Sequence, residues 1–328
     1  MKTKTKLLIL LSLVVLCTFC VFLTSCGGDS LTYELSEDGE YYIVTGAWGN
    51  PKEITIPATY KDLPVKAIGD EAFFHCEKLE SVTISNGITS IGQYAFEGCT
   101  SLSSVTLPES ITTIGFCAFC DCQSLTSIDL PNSLQELDHY AFYSNPQLVE
   151  EVDGVYYVND WALYYNKELS SITLREGTIG IASGFTRYSG TRISLNEIKI
   201  PDGVKIIGSE AFRGTKLSSV DIPSSVEYIG ALSFAGTDLT SLVIPNGVKY
   251  IGGSAFANTF LKTVTVPSSV EYIGYAAFMH HSGTSINDGI IYCAASAKPS
   301  EWDEGWHLSY YGYSNTDYSK VFTVVWGN

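Results

Sequence analysis

The sequence predicts a β-rich solenoid, built as one elongated stack of rungs that repeat with a period of about 22 to 23 positions. The dipeptide Ile-Gly recurs at every 23rd position in the first half of the chain and at every 22nd position in the second. The octapeptide PSSVEYIG occurs at 223–230 and again at 267–274, and the near copy PNGVKYIG lies halfway between them. A fixed period of this length is typical of solenoids, because one repeat cannot bury its apolar face without its neighbours.

One repeat unit, residues 217–238, shows how a rung is built. Val220 and Ile222 alternate with polar residues, which predicts a strand with one buried face. Pro223 then ends that strand, because proline has no amide hydrogen to donate. A second short apolar segment and a glycine follow, and Phe234 is predicted to fill the interior.

The full repeat pattern is L-x-x-V-x-I-P-x-x-V-x-x-I-G-x-x-A-F-x-x-C/T-x-x-L, and it covers most of residues 54–282. This pattern resembles the BspA-like (type 5) leucine-rich repeats of bacterial surface proteins. The resemblance implies a right-handed leucine-rich repeat stack. It also implies an adhesin that binds host matrix proteins or other cells along its repeat surface, without a chemical step. Residues 149–167 depart from the pattern and look like an inserted hairpin, and residues 169–195 look like an irregular rung.

The N-terminus predicts export. Residues 1–25 read as a lipoprotein signal peptide, since three lysines precede a long apolar run that ends at Leu23-Thr24-Ser25-Cys26. The resemblance to a bacterial lipobox implies that Cys26 carries the lipid. The alternative is an uncleaved transmembrane anchor, because the run is nearly long enough to span a bilayer.

The ends of the solenoid are expected to be covered by β caps. Residues 26–53 are predicted to hold the lipid attachment, a short tether and an N-terminal cap, with a hairpin signal at Asp38-Gly39. Residues 54–282 form the predicted solenoid, and residues 283–328 the predicted C-terminal cap.

The charge of the chain restricts its partners. The formal net charge is −16, and removal of residues 1–25 with their three lysines makes it −19. A surface this acidic repels nucleic acid and anionic lipid headgroups, so the membrane is expected to be bound only through the lipid. We expect an outer-membrane or cell-surface location. A periplasm-facing scaffold remains an alternative, because residues 27–30 contain a single acid.

The cysteines follow the repeat. Cys76, Cys99 and Cys122 recur at the spacing of the rungs, and threonine takes the same position in later rungs. We therefore predict buried free thiols at these positions, although stacked cysteines are also close enough for a disulfide or a metal site. The sequence leaves open the disulfide state of all six cysteines after Cys26, namely Cys76, Cys99, Cys117, Cys120, Cys122 and Cys293.

Two groups of aromatic residues are candidate ligand contacts for an extracellular protein or a glycan. Stacked tyrosines on an exposed face offer apolar rings with polar tips, and departures from a repeat often map to binding loops. The alternatives are half-buried tyrosines and a hairpin that packs on the solenoid flank. The first group is Tyr228, Tyr250 and Tyr272, spaced by 22, and the second is Tyr156, Tyr157, Trp161, Tyr164 and Tyr165 in the insertion.

Other columns point to architecture rather than chemistry. Lys205, Glu227, Lys249 and Glu271 alternate in sign at a spacing of 22, which predicts a register-fixing charge ladder. The five histidines show no catalytic or metal-ligand spacing. We therefore predict that the protein is not an enzyme and requires no cofactor or metal.

Overall fold

The computed structural model describes residues 31–187, 189–279, 289–307 and 323–327. These residues form a β-solenoid of about 11 turns, and none of them lies in a helix. In chain order the strands are β1 (Leu31–Leu35), β2 (Tyr42–Ala47), β3 (Glu53–Ile56), β4 (Thr59–Tyr60), β5 (Leu63–Ile68), β6 (Ser81–Ile84), β7 (Ser90–Ile91), β8 (Ser104–Thr106), β9 (Thr113–Ile114), β10 (Glu136–Leu137), β11 (Glu150–Val152), β12 (Val155–Val158), β13 (Trp161–Tyr165), β14 (Ser171–Thr173), β15 (Gly180–Ile181), β16 (Glu197–Lys199), β17 (Ile206–Ile207), β18 (Tyr228–Ile229), β19 (Ser241–Val243), β20 (Tyr250–Ile251), β21 (Thr263–Val266), β22 (Tyr272–Ile273), β23 (Ile290–Cys293) and β24 (Thr323–Trp326).

One face of the solenoid consists of the short strands that precede each Ile-Gly turn. They form a 7-stranded sheet in the order β1-β2-β5-β7-β9-β10, with β4 paired to β5. An 8-stranded sheet follows in the order β11-β12-β13-β15-β17-β18-β20-β22. In each regular two-residue strand the isoleucine or leucine points inward and is buried, as in Ile91 and Ile229, and the residue before it faces outward.

The opposite face consists of the strands that contain the repeated V-x-I motif. They form three parallel sheets, β3-β6-β8, β14-β16 and β19-β21-β23-β24. Pairing is in register, so that Val82 lies opposite Val105 and Leu242 opposite Val264. Each repeat position therefore becomes a column along the stack, which confirms the prediction made from the period.

A spine of phenylalanines fills the interior, as predicted for Phe234. Each ring is buried, and neighbouring rings of the regular turns stack with centroids 5.0 to 5.5 Å apart. That spacing matches the rise between parallel strands and the distance that aromatic pairs prefer. The spine comprises Phe73, Phe96, Phe119 and Phe142 in the first half and Phe185, Phe212, Phe234, Phe256 and Phe278 in the second.

The insertion at 149–167 is more than the predicted hairpin. Strands β11, β12 and β13 form an antiparallel meander, and β13 then pairs in parallel with β15, so the last strand of the insertion is itself a member of the stack. Trp161 packs into the hydrophobic core of the first half, whereas Tyr157 and Tyr165 pack into that of the second. The insertion therefore lies between the two cores and is contacted by both.

The described parts of the two chain ends extend the sheets. The predicted hairpin around Asp38-Gly39 is present, since β1 pairs antiparallel with β2 and Gly39 has a φ of 75°. At the other end β23 and β24 add to the sheet, and Trp302 and Trp306 are buried. Much of the predicted segment 283–328 lies outside the described residues.

Candidate ligand-binding surfaces

The tyrosine column consists of Tyr228, Tyr250 and Tyr272. These residues are the outward positions of β18, β20 and β22, and parallel pairing places each one opposite the next. Their rings stack with centroids 4.6 and 4.8 Å apart and interplanar angles of 5° and 13°. All three side chains are half-buried. The predicted stacking is confirmed.

The stacking determines what the column can offer to a ligand. Both faces of the Tyr250 ring are covered by its neighbours, and the separations of 4.6 and 4.8 Å leave no space for another ring. A sugar ring therefore cannot pack on the face of the central tyrosine. Ring edges and hydroxyl groups remain, which suit a flat protein surface better than a pyranose.

A carboxylate from the other half of the solenoid ends the tyrosine column. Glu136, on β10, accepts hydrogen bonds from the Tyr228 hydroxyl at 3.0 Å and from the Ser209 hydroxyl at 2.7 Å, and it also accepts one from the Ser183 hydroxyl. Burial, and then the nearby Glu136 charge, raise the pKa of the Tyr228 phenol well above its usual value. The repeat pattern does not predict this contact, because Glu136 and Tyr228 are 92 residues apart.

Two titratable groups lie beside Glu136. The Asp138 carboxyl accepts a hydrogen bond from the Tyr140 amide at 2.8 Å and lies 3.4 Å from Nδ1 of His139. Burial raises the pKa of Asp138 to about 6 and lowers that of His139 to about 4. The pair therefore changes its protonation over a mildly acidic range.

The structure corrects the ligand-contact prediction for three residues of the insertion. Tyr157, Trp161 and Tyr165 are only 1 to 2% exposed, so they cannot contact a surface ligand. The alternation of the strands and the two flanking cores bury them. The Tyr157 hydroxyl also accepts a hydrogen bond from the Arg175 amide at 3.1 Å, and the Arg175 guanidinium lies 4.3 Å from its ring centroid.

The other two aromatic residues of the insertion belong to a larger surface. Tyr156 and Tyr164 stack at 4.6 Å, and Tyr164 lies 6.0 Å from Tyr140. Further ring contacts continue along the stack to earlier turns. We call this surface the aromatic ridge; it comprises Tyr94, Phe116, Tyr140, Tyr143, Tyr156 and Tyr164.

The ridge is accessible and contains a cation. Tyr143 is 50% exposed, and the other members are half-buried. The Arg187 guanidinium lies 5.3 Å from the Tyr164 ring centroid and donates to the Tyr140 hydroxyl at 3.3 Å. Four residues of the ridge were not predicted from the sequence, namely Tyr94, Phe116, Tyr140 and Tyr143. Three of them could have been found, because an aromatic residue follows Gly92, Gly115 and Asp138 by one or two positions.

The long-strand face, formed by the strands with the V-x-I motif, presents mostly polar side chains. Ser81 pairs with Ser104 and Thr83 with Thr106, and the outward side chains of this face are exposed or half-buried. Val243 is an exposed apolar residue of this face, with 71% of its surface accessible. In the charge ladder, Lys249 forms an ion pair with Glu227 at 2.6 Å, which places opposite charges on adjacent turns.

The prediction of buried free thiols is confirmed for Cys99 and Cys122, whereas Cys76 is free but only half-buried. Cys76, Cys99 and Cys122 are free, and the Cys99 thiol donates to the Phe73 carbonyl oxygen of the preceding turn at 3.2 Å. In later turns a threonine such as Thr215 donates to a phenylalanine carbonyl of its own turn at 2.9 Å. The side chains of this column thus donate hydrogen bonds to backbone carbonyl groups in the interior.

The structure also gives the state of the other cysteines that the sequence left open. Cys117 and Cys120 form a disulfide, and Cys293 is free.

The predicted signal peptide and the lipid-attachment residue Cys26 lie outside the described residues. Among the residues that the structure does describe, no helix is long and apolar enough to cross a membrane.

Parallel in-register turns, one for each repeat of the sequence, with columns of buried aliphatic residues and a phenylalanine spine, define a leucine-rich repeat β-solenoid. The chain belongs to the BspA-type leucine-rich repeat family: the model of the BspA type leucine rich repeat region matches residues 66–189 and 159–285, with six copies. No curated protein sequence matches the chain.

Several solved structures resemble the chain, among them three bacterial proteins. A leucine rich cell surface protein from Faecalibacterium prausnitzii is 29% identical, over 79% of this chain and 74% of that protein, with a TM-score of 0.35. A leucine-rich repeat protein from Bacteroides ovatus is 24% identical, over 84% and 71%, with a TM-score of 0.37. The pneumococcal vaccine antigen PcpA is 23% identical, over 80% and 71%, with a TM-score of 0.41.

Membership of this family indicates a general location and a general role. BspA-type proteins are typically exported or displayed on the bacterial surface, and a leucine-rich repeat solenoid is typically a non-catalytic scaffold for protein–protein interaction.

Proposed function

We propose that the protein is a lipid-anchored adhesin of the bacterial outer membrane or cell surface, which binds an extracellular protein through its repeat surface. Cys26 supplies the anchor by carrying the lipid. The solenoid holds its side chains in fixed columns, so binding requires little reorganisation of the protein and no chemical step.

The aromatic ridge carries this proposal. Its rings come from successive turns and from the insertion, and they form one connected surface with Tyr143 half exposed. Aromatic residues are enriched at protein interfaces, where they bury a large area at a small cost in side-chain entropy. The formal net charge, −16 for the full chain and −19 without residues 1–25, favours a neutral or basic partner and disfavours nucleic acid.

Adhesion of cells that display the native lipoprotein to immobilised, purified matrix proteins tests the proposal. Removal of the outer rings by Tyr143→Ala with Tyr156→Ala should abolish adhesion. The matched control is Val243→Ala, which removes an exposed apolar side chain from the other face and should leave adhesion unchanged. Equal adhesion of the ridge variant and the native protein would contradict the proposal.

Glycan binding is the second candidate function. The half-exposed Tyr143 ring favours it, since it contacts Tyr140, whose hydroxyl accepts a hydrogen bond from Arg187, and an exposed aromatic ring with polar groups nearby suits a sugar. Binding of the purified protein to polysaccharides but not to matrix proteins, with loss in the ridge variant, would establish this function instead.

A further inference from the structure

The N-terminal corner of the solenoid exposes a large apolar side chain. Trp48 is 61% exposed, whereas Trp161, Trp302 and Trp306 are 1 to 2% exposed. An indole ring left in water at the end of a strand is unfavourable, because its apolar body remains hydrated. Trp48 follows β2 directly, so the solenoid holds its backbone in place.

The chain enters the solenoid beside Trp48. Strand β1 begins at Leu31, which pairs with Ala47, the residue before Trp48. Only residues 27–30 separate Leu31 from Cys26. At about 3.5 Å per extended residue, this spacing keeps Leu31 within roughly 17 Å of the lipidated residue. A lipid on Cys26 therefore brings this corner close to the bilayer surface.

A second exposed aromatic residue belongs to the neighbouring turn. Phe74 is 45% exposed. It lies two residues after Ala72, and the Ala72 carbonyl oxygen is 2.9 Å from where a Cβ on Gly46 would be. Phe74 therefore lies on the turn that contacts the end of β2 at Gly46, which is close in the chain to Trp48.

Three of the four acidic residues of the β1–β2 hairpin lie at its opposite end. Glu37, Asp38 and Glu40 are exposed in the turn between β1 and β2. Five strand residues at about 3.4 Å each place this turn roughly 17 Å from the start of β1. The end of the hairpin nearest the anchor therefore carries the exposed Trp48, and the acidic turn that anionic headgroups would repel points away from it.

We propose that the N-terminal end of the solenoid rests on the bilayer, with the Trp48 indole in the interface between headgroups and acyl chains. The inference rests on the lipid attachment proposed above and adds a protein contact to it. Tryptophan prefers this interface, because its ring is apolar and its N–H can still bond to headgroups or water. The stack then projects away from the membrane, and the aromatic ridge and tyrosine column remain open on its sides.

Quenching by brominated lipid tests this contact directly. The full acylated protein is reconstituted into phosphatidylcholine vesicles whose acyl chains carry bromine, and tryptophan emission is compared with that in unbrominated vesicles. The native protein should lose emission, and Trp48→Phe should abolish that loss. Trp326→Phe is the matched control, since it removes a tryptophan of β24 near the other end and should leave the quenching intact.

Mass spectrometry of the same preparation separates the two proposals. A protein that is acylated at Cys26 but shows no quenching, or shows quenching that persists in Trp48→Phe, overturns the membrane contact and leaves the anchor in place. A protein without acylation overturns the proposed anchor, and the membrane contact falls with it.

Discussion

Replacement of Glu136 by alanine tests whether one carboxylate holds the two halves of the solenoid together. Glu136 belongs to the last strand of the 7-stranded sheet, whereas its partners Ser183, Ser209 and Tyr228 lie in the turns of the 8-stranded sheet. Alanine removes the carboxylate, and the three half-buried hydroxyl groups that donate to it lose their acceptor. The junction between the two halves should therefore lose stability.

The size of the effect follows from the contacts. The Ser209 and Tyr228 hydroxyls donate at 2.7 and 3.0 Å, and a hydrogen bond to a charged group contributes about 1.5 to 3 kcal/mol. Because Glu136 is half-buried, water replaces part of each bond, and we take the lower value for both. The expected loss in the free energy of unfolding is about 3 kcal/mol for Glu136→Ala, which loses both bonds, and about 1.5 kcal/mol for Tyr228→Phe, which loses one.

Equilibrium urea unfolding followed by tryptophan fluorescence measures the loss, since Trp161 lies at the junction. The double variant Glu136→Ala with Tyr228→Phe should be less destabilised than the sum of the two single variants, because both remove one shared bond. Tyr272→Phe, which loses a hydroxyl at the other end of the column, serves as the control. A loss of less than about 0.5 kcal/mol for Glu136→Ala, the range of ordinary surface substitutions, would refute the reasoning.

Three further predictions concern the phenylalanine spine, the repeated cysteine position and the Asp138–His139 pair. Phe96→Ala, which empties a place between two stacked rings, should cost about 3 to 5 kcal/mol in urea unfolding, and Phe96→Leu clearly less. Burial raises the pKa of the Cys99 thiol to about 12, so iodoacetamide at pH 8 should label half-exposed Cys76 in the native protein but not Cys99. Because the pKa of Asp138 is raised in the folded protein, its contribution to the free energy of unfolding falls as pH rises from 4 to 6. The pKa of His139 is lowered, so its contribution rises over the same range. Asp138→Asn should therefore make stability rise with pH, and His139→Gln should make it fall, each by at most about 3 kcal/mol.

Each of these outcomes has a clear opposite. Equal stability of Phe96→Ala and Phe96→Leu would mean that the spine does not depend on ring packing. Labelling of Cys99 at the rate of Cys76 would show that the repeated cysteine position is open to solvent. A flat profile from pH 4 to 7 in both Asp138→Asn and His139→Gln would show that the two groups do not have opposing shifts.

The period was sufficient to predict the columns of the solenoid. A residue that recurs once in every repeat must take the same place on each turn, so Ile229, Phe234 and Tyr250 were assigned correctly without coordinates. The same reasoning predicted the free thiols, since Cys99 and Thr215 occupy one position of the repeat.

The period could not predict contacts across the insertion. Glu136 and Tyr228 are 92 residues apart, and they meet only because the meander of β11 to β13 closes one half of the solenoid onto the other. The burial of Tyr157 likewise depends on a core that is far away in sequence. The aromatic ridge escaped detection because Phe116 stands one residue out of step with Tyr94 and Tyr140, although their rings touch.

Protease treatment of intact cells tests the central claim most directly. Cells that express the native lipoprotein are exposed to a protease that cannot enter them, and the solenoid is then detected by immunoblot. We predict loss of the band from intact cells, because the repeat surface faces outward. Survival of the band on intact cells, together with digestion after lysis, would contradict the adhesin proposal and favour a scaffold on the inner side of the outer membrane.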